Sequence, residues 1–193
     1  RILKNVMGLW LVQRLRDAAP ELSFADIVKQ AEQAKSFAYL INPNDTRFLN
    51  PVSMKDEIAA FCRETGQGEP QTFGEFARCV YESLALKYRW ALEWLEKMKG
   101  ERIDTLSITG GGIGNTLLCQ MTADVLDRRV IAGPAEGSAM GNALMQAVAL
   151  GELKDILEVR EVVKRSVELE SYEPSHTQAY EDAYGRLLGL IGK

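Results

Sequence analysis

The sequence holds a single histidine, His176, and only three cysteines, Cys62, Cys79 and Cys119. The cysteines show none of the paired spacings of a metal site, and an odd count excludes a complete disulfide framework. All three fall in segments of helical pattern, which predicts buried thiols in a reducing compartment. No apolar run approaches the roughly 18 residues of a membrane span, and neither a span nor a signal peptide is expected from this stretch. Basic residues form no stripe, and a net charge of −4 disfavours a polyanionic nucleic-acid partner. Internal repeats and low-complexity tracts are missing too. A small anionic ligand stays compatible with this composition, because backbone N–H groups hold anions without net positive charge.

What is there is an ordinary globular composition. The 193 residues, 46% of them apolar, suffice for one domain with a real core. A single domain over 1–193 is therefore expected. The opening Arg1-Ile2-Leu3-Lys4-Asn5 lacks an initiating Met and enters a helical pattern at once. The chain accordingly reads as a piece of a longer protein.

Val6, Leu9, Trp10 and Leu15 predict a first helix over about 4–17, closed by Pro20. Ser23-Phe24-Ala25-Asp26 has the spacing of a capping box and opens a second helix to about residue 37. "INPNDTRFLNP", residues 41–51, holds two Asn-Pro pairs and reads as a loop. Ser53 caps a third helix that Gly66 ends. Thr72 to Glu75 is another capping box, and Phe76, Val80, Leu84, Tyr88, Leu92 and Leu95 carry a long helix over 73–99 to a stop at Gly100. Residues 104–109 alternate as a strand does, and "RRVIAG", 128–133, is a second strand. Helices over 115–126 and 137–150 follow them, the latter with Ala139, Ala143 and Ala147 as a small-residue stripe suited to close packing. Strand–helix–strand–helix order predicts two adjacent parallel strands. After Gly151 the pattern weakens to an extended "VELESY" and a last helix capped by Ser175. Two parallel strands are too few for a sheet buried on both faces, so further strands are expected upstream of Arg1.

The most informative stretch is "ITGGGIGNTLL", residues 108–118. Gly110, Gly111 and Gly112 stand between a strand and a helix start, where three glycines carry a backbone-entropy cost. Two readings fit. In one, free N–H groups and bare main chain receive a nucleotide or phosphate; in the other, the glycines only make a tight turn. A Walker A loop is excluded, since Gly114-Asn115-Thr116 stands where Gly-Lys-Ser/Thr is needed. The dinucleotide fingerprint is excluded as well, because Asn115 occupies its third glycine position and Ala132-Gly133-Pro134 ends the second strand without an acidic residue. The Asn115 amide both donates and accepts, as recognition of an adenine edge requires, or it caps the helix.

The run "TGGGIGNTLLCQMTADVLDRRVIAGPAEGSAMGNALMQA", 109–147, resembles the C-terminal domain of FGGY carbohydrate kinases. "RILKNVMGLWLVQRL", 1–15, "INPNDTRFLNP" and "ARCVYESLALKYR", 77–89, are similar to the rhamnulokinase branch of that family, so the resemblance spans nearly the whole chain. It implies an α/β, helix-rich, actin-like and ribonuclease-H-like ATPase domain lacking its first strands, the nucleotide-side half of a two-domain enzyme. It implies ATP with Mg²⁺, phosphoryl transfer to the 1-hydroxyl of L-rhamnulose, a cytoplasmic location, and no nucleic-acid or membrane partner. Residue by residue, Gly110, Gly111 and Gly112 match the turn against adenosine, Asn115 an adenine contact, Gln13 an ATP contact and Asn5 a sugar contact. Eight residues on a helix advance roughly 12 Å, so Asn5 and Gln13 would share one face.

No catalytic residue or metal ligand is expected in this chain, because the family's catalytic Asp lies before Arg1; the isolated chain is predicted to be inactive. Asp45, Asp104 and Asp124 sit in a turn, at a strand start and late in a helix, and are not substitutes. His176 reads as a cap or surface residue. Departures from the family pattern are Asp127, in place of a small residue at the end of the glycine helix, and Gly114, in place of a larger one. Glu136 keeps an acidic position and reads as a helix N-terminal charge. Alternatives are another FGGY kinase, acting on L-fuculose or xylulose, and a non-catalytic helical interaction domain.

Overall fold

A computed structural model describes residues 3–175 and 177–192; His176 lies outside the described residues. The helices are α1 (Trp10–Arg16), α2 (Phe24–Gln33), α3 (Met54–Glu64), α4 (Phe73–Lys99), α5 (Thr116–Leu126), α6 (Gly137–Ala149), α7 (Ile156–Ser166) and α8 (Gln178–Ile191). The strands are β1 (Thr105–Ile108), β2 (Arg129–Ala132) and β3 (Glu170–Tyr172), in the order β1-β2-β3. β1 and β2 are parallel, pairing Thr105 with Arg129 and Ile108 with Ala132. β3, the extended "VELESY" segment, joins β2 antiparallel, with Ser171 opposite Ile131. No helix among the described residues is long and apolar enough to cross a membrane.

α4 is the spine of the molecule. Its N-terminus is a reciprocal capping box, in which Glu75 N–H donates to the Thr72 hydroxyl and the Thr72 N–H donates to the Glu75 carboxylate. Its C-terminus stops at Gly100 in the left-handed conformation. Phe76, Val80, Tyr81 and Leu84 are fully buried against α1, α2 and α3. Each such side chain removed from water stabilises the fold by about 1.5–3 kcal/mol. A second, smaller core of Leu92, Ala123, Leu126 and Val130 fastens α4 and α5 beneath the sheet.

The position of α2 rests on one glycine. A Cβ on Gly74 would stand 2.5 Å from the Gln30 carbonyl oxygen, so only glycine lets α2 approach the start of α4 this closely. Ser23 and Asp26 form the expected capping box at the other end of α2. Ile27 and Ala31 then point into the core.

Several expectations are corrected. The first helix starts at Trp10 and not near residue 4. Asn44 of the 41–51 loop competes for the lead-in segment: its Oδ1 accepts from Met7 N at 3.2 Å, and its Nδ2 donates to the Asn5 carbonyl at 3.4 Å. Asn5 is therefore on an exposed, non-helical strand of chain and shares no helix face with Gln13. The second helix ends at Gln33 and does not reach residue 37, because Phe37 adopts φ +53° and its N–H donates to the buried Glu82 carboxylate at 2.8 Å. The two adjacent parallel strands stand as expected, and β3 adds an antiparallel neighbour that makes the sheet mixed. Ser175 does not cap the last helix; its N–H donates to Asp124, and Thr177 occupies the cap position. In the small-residue stripe of α6, Ala139 and Ala143 are exposed and Ala147 is half-buried. α7 was not expected at all, although Asp155 caps it in the Asp-x-x-Glu spacing that marks a helix start.

Candidate functional site

The glycine bend separates into two parts with different physical reasons. Gly110 has φ +89°, a conformation that side chains rarely adopt, and its N–H donates to the Pro134 carbonyl at 3.1 Å. That glycine makes the turn. Gly111 begins a 3₁₀ turn, Gly111–Gly114, and is not in the left-handed region. A Cβ there would meet no atom within 4 Å, and one on Gly112 would make only ordinary contact with Leu9 at 3.6 Å. Neither backbone conformation nor packing explains why residues 111 and 112 lack side chains. Among the described residues, the N–H groups of Gly111 and Gly112 have no hydrogen-bond partner.

The side chains that are missing here would project into a groove of about 880 Å³. Gly111, Gly112, Gly114, Asn115 and Thr116 form one wall, Leu9, Val12 and Gln13 of the α1 region another, and α2 the third. α2 contributes Phe24, Ala25, Val28, Lys29 and Glu32, a spacing of four and one that marks a single helix face. The volume lies within the 300–1,000 Å³ of small-molecule sites, and the lining is mainly apolar with a few polar groups, as such sites require.

Asn115 is buried at the N-cap of α5, where its Oδ1 accepts from Leu118 N at 2.9 Å. The capping reading is thus correct, and the residue also reaches the groove. It meets Tyr81, whose phenol burial pushes up to about 12, Asn115 opposing that shift. A neutral Tyr81 closes the groove floor from the core side. Gln13 is exposed and lines the groove. Of the six residues expected to touch ligands, Gly111, Gly112, Gln13 and Asn115 come together here, Gly110 shapes the bend behind them, and Asn5 is not among the lining residues. The α2 face was missed. Its four-and-one spacing was readable, but its facing the bend depends on the α2–α4 crossing at Gly74.

The acidic residues set aside earlier have structural positions. Asp45 caps the short turn Thr46–Phe48. Asp104 is exposed ahead of β1. Asp124 is buried and accepts from Gln120, Ser175 N and Tyr180, fastening β3 and α8 to α5. None of the three lines the groove. Asp127 takes the left-handed conformation at the end of α5, as its short polar side chain allows. Glu136 is at the N-cap of α6 and makes no side-chain cap bond.

Residues 1–150 match the FGGY family of carbohydrate kinases, C-terminal domain. Over 184 residues, 95% of this chain, it is 41% identical to a rhamnulokinase of Bacteroides thetaiotaomicron; over 176 residues, 90% of the chain, it is 47% identical to one of Enterococcus faecalis. The chain spans only 38% and 36% of the lengths of those relatives. Its fold resembles those of solved sugar and polyol kinases. For Plasmodium falciparum glycerol kinase with ADP the TM-score is 0.64 at 12% identity, over 96% of this chain and 36% of that one. For xylulose kinase from Rhodospirillum rubrum it is 0.58 at 22% identity, over 92% and 34%. The fold is the actin-like one these kinases share, and the chain belongs to the FGGY family of carbohydrate kinases as a C-terminal domain.

Proposed function

We propose that this chain is the nucleotide-holding half of a rhamnulokinase, a cytoplasmic enzyme that moves the γ-phosphoryl of ATP to the 1-hydroxyl of L-rhamnulose. The single observation that carries the nucleotide reading is the bare wall of the groove: Gly111 and Gly112 lack side chains where the fold would accept them. A purine nucleoside resting on that main chain uses the free N–H groups and leaves Asn115 and Gln13 at its polar edges. The sugar reading is supported by the identity to rhamnulokinases over nearly the whole chain.

In this reading residues 1–193 act as one domain with Asn5 as a sugar contact, and the opposing half of the enzyme supplies most of the other sugar contacts and the carboxylate that takes the hydroxyl proton. The sugar oxygen then attacks the γ-phosphorus and ADP departs, a reaction that relies on positioning and charge stabilisation. This chain fixes the adenosine end, and so sets where the γ-phosphoryl lies. ATP is taken up with Mg²⁺ in this reading; among the described residues no group of three or more His, Cys, Asp or Glu side chains gathers.

The test is a calorimetric titration of the chain with ADP, beside an assay with ATP, Mg²⁺ and L-rhamnulose. Saturable ADP binding without turnover is expected. A chain that binds no nucleotide is the interaction domain of the alternative reading, and robust turnover contradicts the assignment of the base to the other half. Selection among L-rhamnulose, L-fuculose and xylulose is read from a substrate panel on the two-domain enzyme.

A further inference from the structure

Among the described residues that line the groove, two are aromatic, Phe24 and Tyr81, and Phe24 is the one free to meet a ligand. Tyr81 is 1% exposed and presents no face, whereas Phe24 is 50% exposed at the first position of α2. A half-exposed Phe at the lip of a groove is not held there by the core. It is held by Arg16, whose guanidinium stands 5.1 Å from the ring centre. Arg16 is itself fixed, its Nε donating to the Leu22 carbonyl at 2.6 Å and its guanidinium to the Pro20 carbonyl at 3.2 Å. The capping box of Ser23 and Asp26 locks the backbone on either side of Phe24. The ring is thus pre-oriented before any ligand arrives, with a cation near it and the groove beside it. Ala25 and Val28 continue the apolar surface along the same helix face.

We infer that Phe24 is the stacking platform for the nucleotide base, closing over it from α2 while the Gly111–Gly112 main chain supports it from the other wall. The inference rests on the nucleotide reading above and adds to it a base-selecting residue. A purine offers a larger π-face than a pyrimidine, so Phe24 makes the site prefer purine nucleotides. Arg16 acts as a positioning residue, keeping the ring in place without touching the ligand.

The experiment compares ADP and UDP by calorimetry on the wild-type chain and on Phe24→Ala, Phe24→Leu and Phe24→Trp, each checked by thermal melting. Wild type prefers ADP. Phe24→Ala and Phe24→Leu weaken ADP about tenfold, the size of one lost base–aromatic stack, and lose most of the preference over UDP. Leucine keeps the apolar volume, so its failure separates stacking from simple burial. Phe24→Trp keeps the preference and gains a fluorescence signal that ADP quenches in proportion to binding. ADP affinity unchanged in Phe24→Ala and Phe24→Leu overturns the stacking assignment while the nucleotide site stands. Absence of ADP binding in the wild type overturns both.

Discussion

Replacing Gly111 puts stability and binding in opposition, and the structure sets both signs. A Cβ at residue 111 meets no atom within 4 Å and the backbone is outside the left-handed region, so alanine fits the folded state without strain. Alanine also restricts the unfolded chain, which stabilises the fold by about 0.4–1 kcal/mol where the conformation is compatible. For a domain of this size that is a rise in melting temperature of about 1–4 °C. The same methyl group stands on the wall where the nucleoside is to rest. Overpacking a fitted contact costs about 1–3 kcal/mol, so Gly111→Val is expected to weaken ADP by about 10- to 100-fold, and Gly111→Ala by less. Thermal melting and calorimetry on the same samples read the two effects. A lower melting temperature for Gly111→Ala would mean that the glycine serves the turn after all. Unchanged ADP affinity in Gly111→Val would refute the reasoning outright.

Gly74→Ala is expected to destabilise the fold by about 1–3 kcal/mol in chemical denaturation, because its Cβ would stand 2.5 Å from the Gln30 carbonyl; it should also weaken ADP by moving the α2 wall. Asn115→Asp keeps an equally good N-cap but loses the amide donor, so it should melt near the wild type and bind ADP less well, whereas Asn115→Ala should also lose about 1 kcal/mol of stability. Glu82 gives a pH signature. Burial pushes its carboxyl up to about 7 despite the ion pair with Arg78, from about 4.5 in the unfolded chain. Folding therefore binds a proton: the contribution is full below pH 4.5 and is lost as pH rises through 7. Relative to Glu82→Gln, the wild type should lose stability between about pH 4.5 and 7 in urea denaturation; parallel pH profiles would contradict this.

How much of this was legible in the chain depended on how local the determinant was. Both capping boxes, the long α4, its stop at Gly100 and the two parallel strands follow from short-range pattern, and they stand where expected. The start of α1 and the end of α2 were misplaced because distant partners decide them. Asn44 holds the lead-in segment, and Glu82 holds Phe37, across separations of 37 and 45 residues. The antiparallel placement of β3 is likewise a long-range matter, since only its extended character is written locally. At the site, the glycine run signalled its own importance, but its division into a turn-forming Gly110 and a groove-lining Gly111 and Gly112 required the positions of their neighbours. Phe24 looked like an ordinary helix start. Only the crossing of α2 over α4 brings it to the groove.

The central claim is that a nucleotide rests on the bare main chain of residues 111 and 112. Amide chemical shifts of the ¹⁵N-labelled chain, followed through an ADP titration, address it directly. The Gly111, Gly112 and Asn115 resonances should move together and saturate at a common affinity. Saturating shifts confined to another surface, or none at all, would contradict the account.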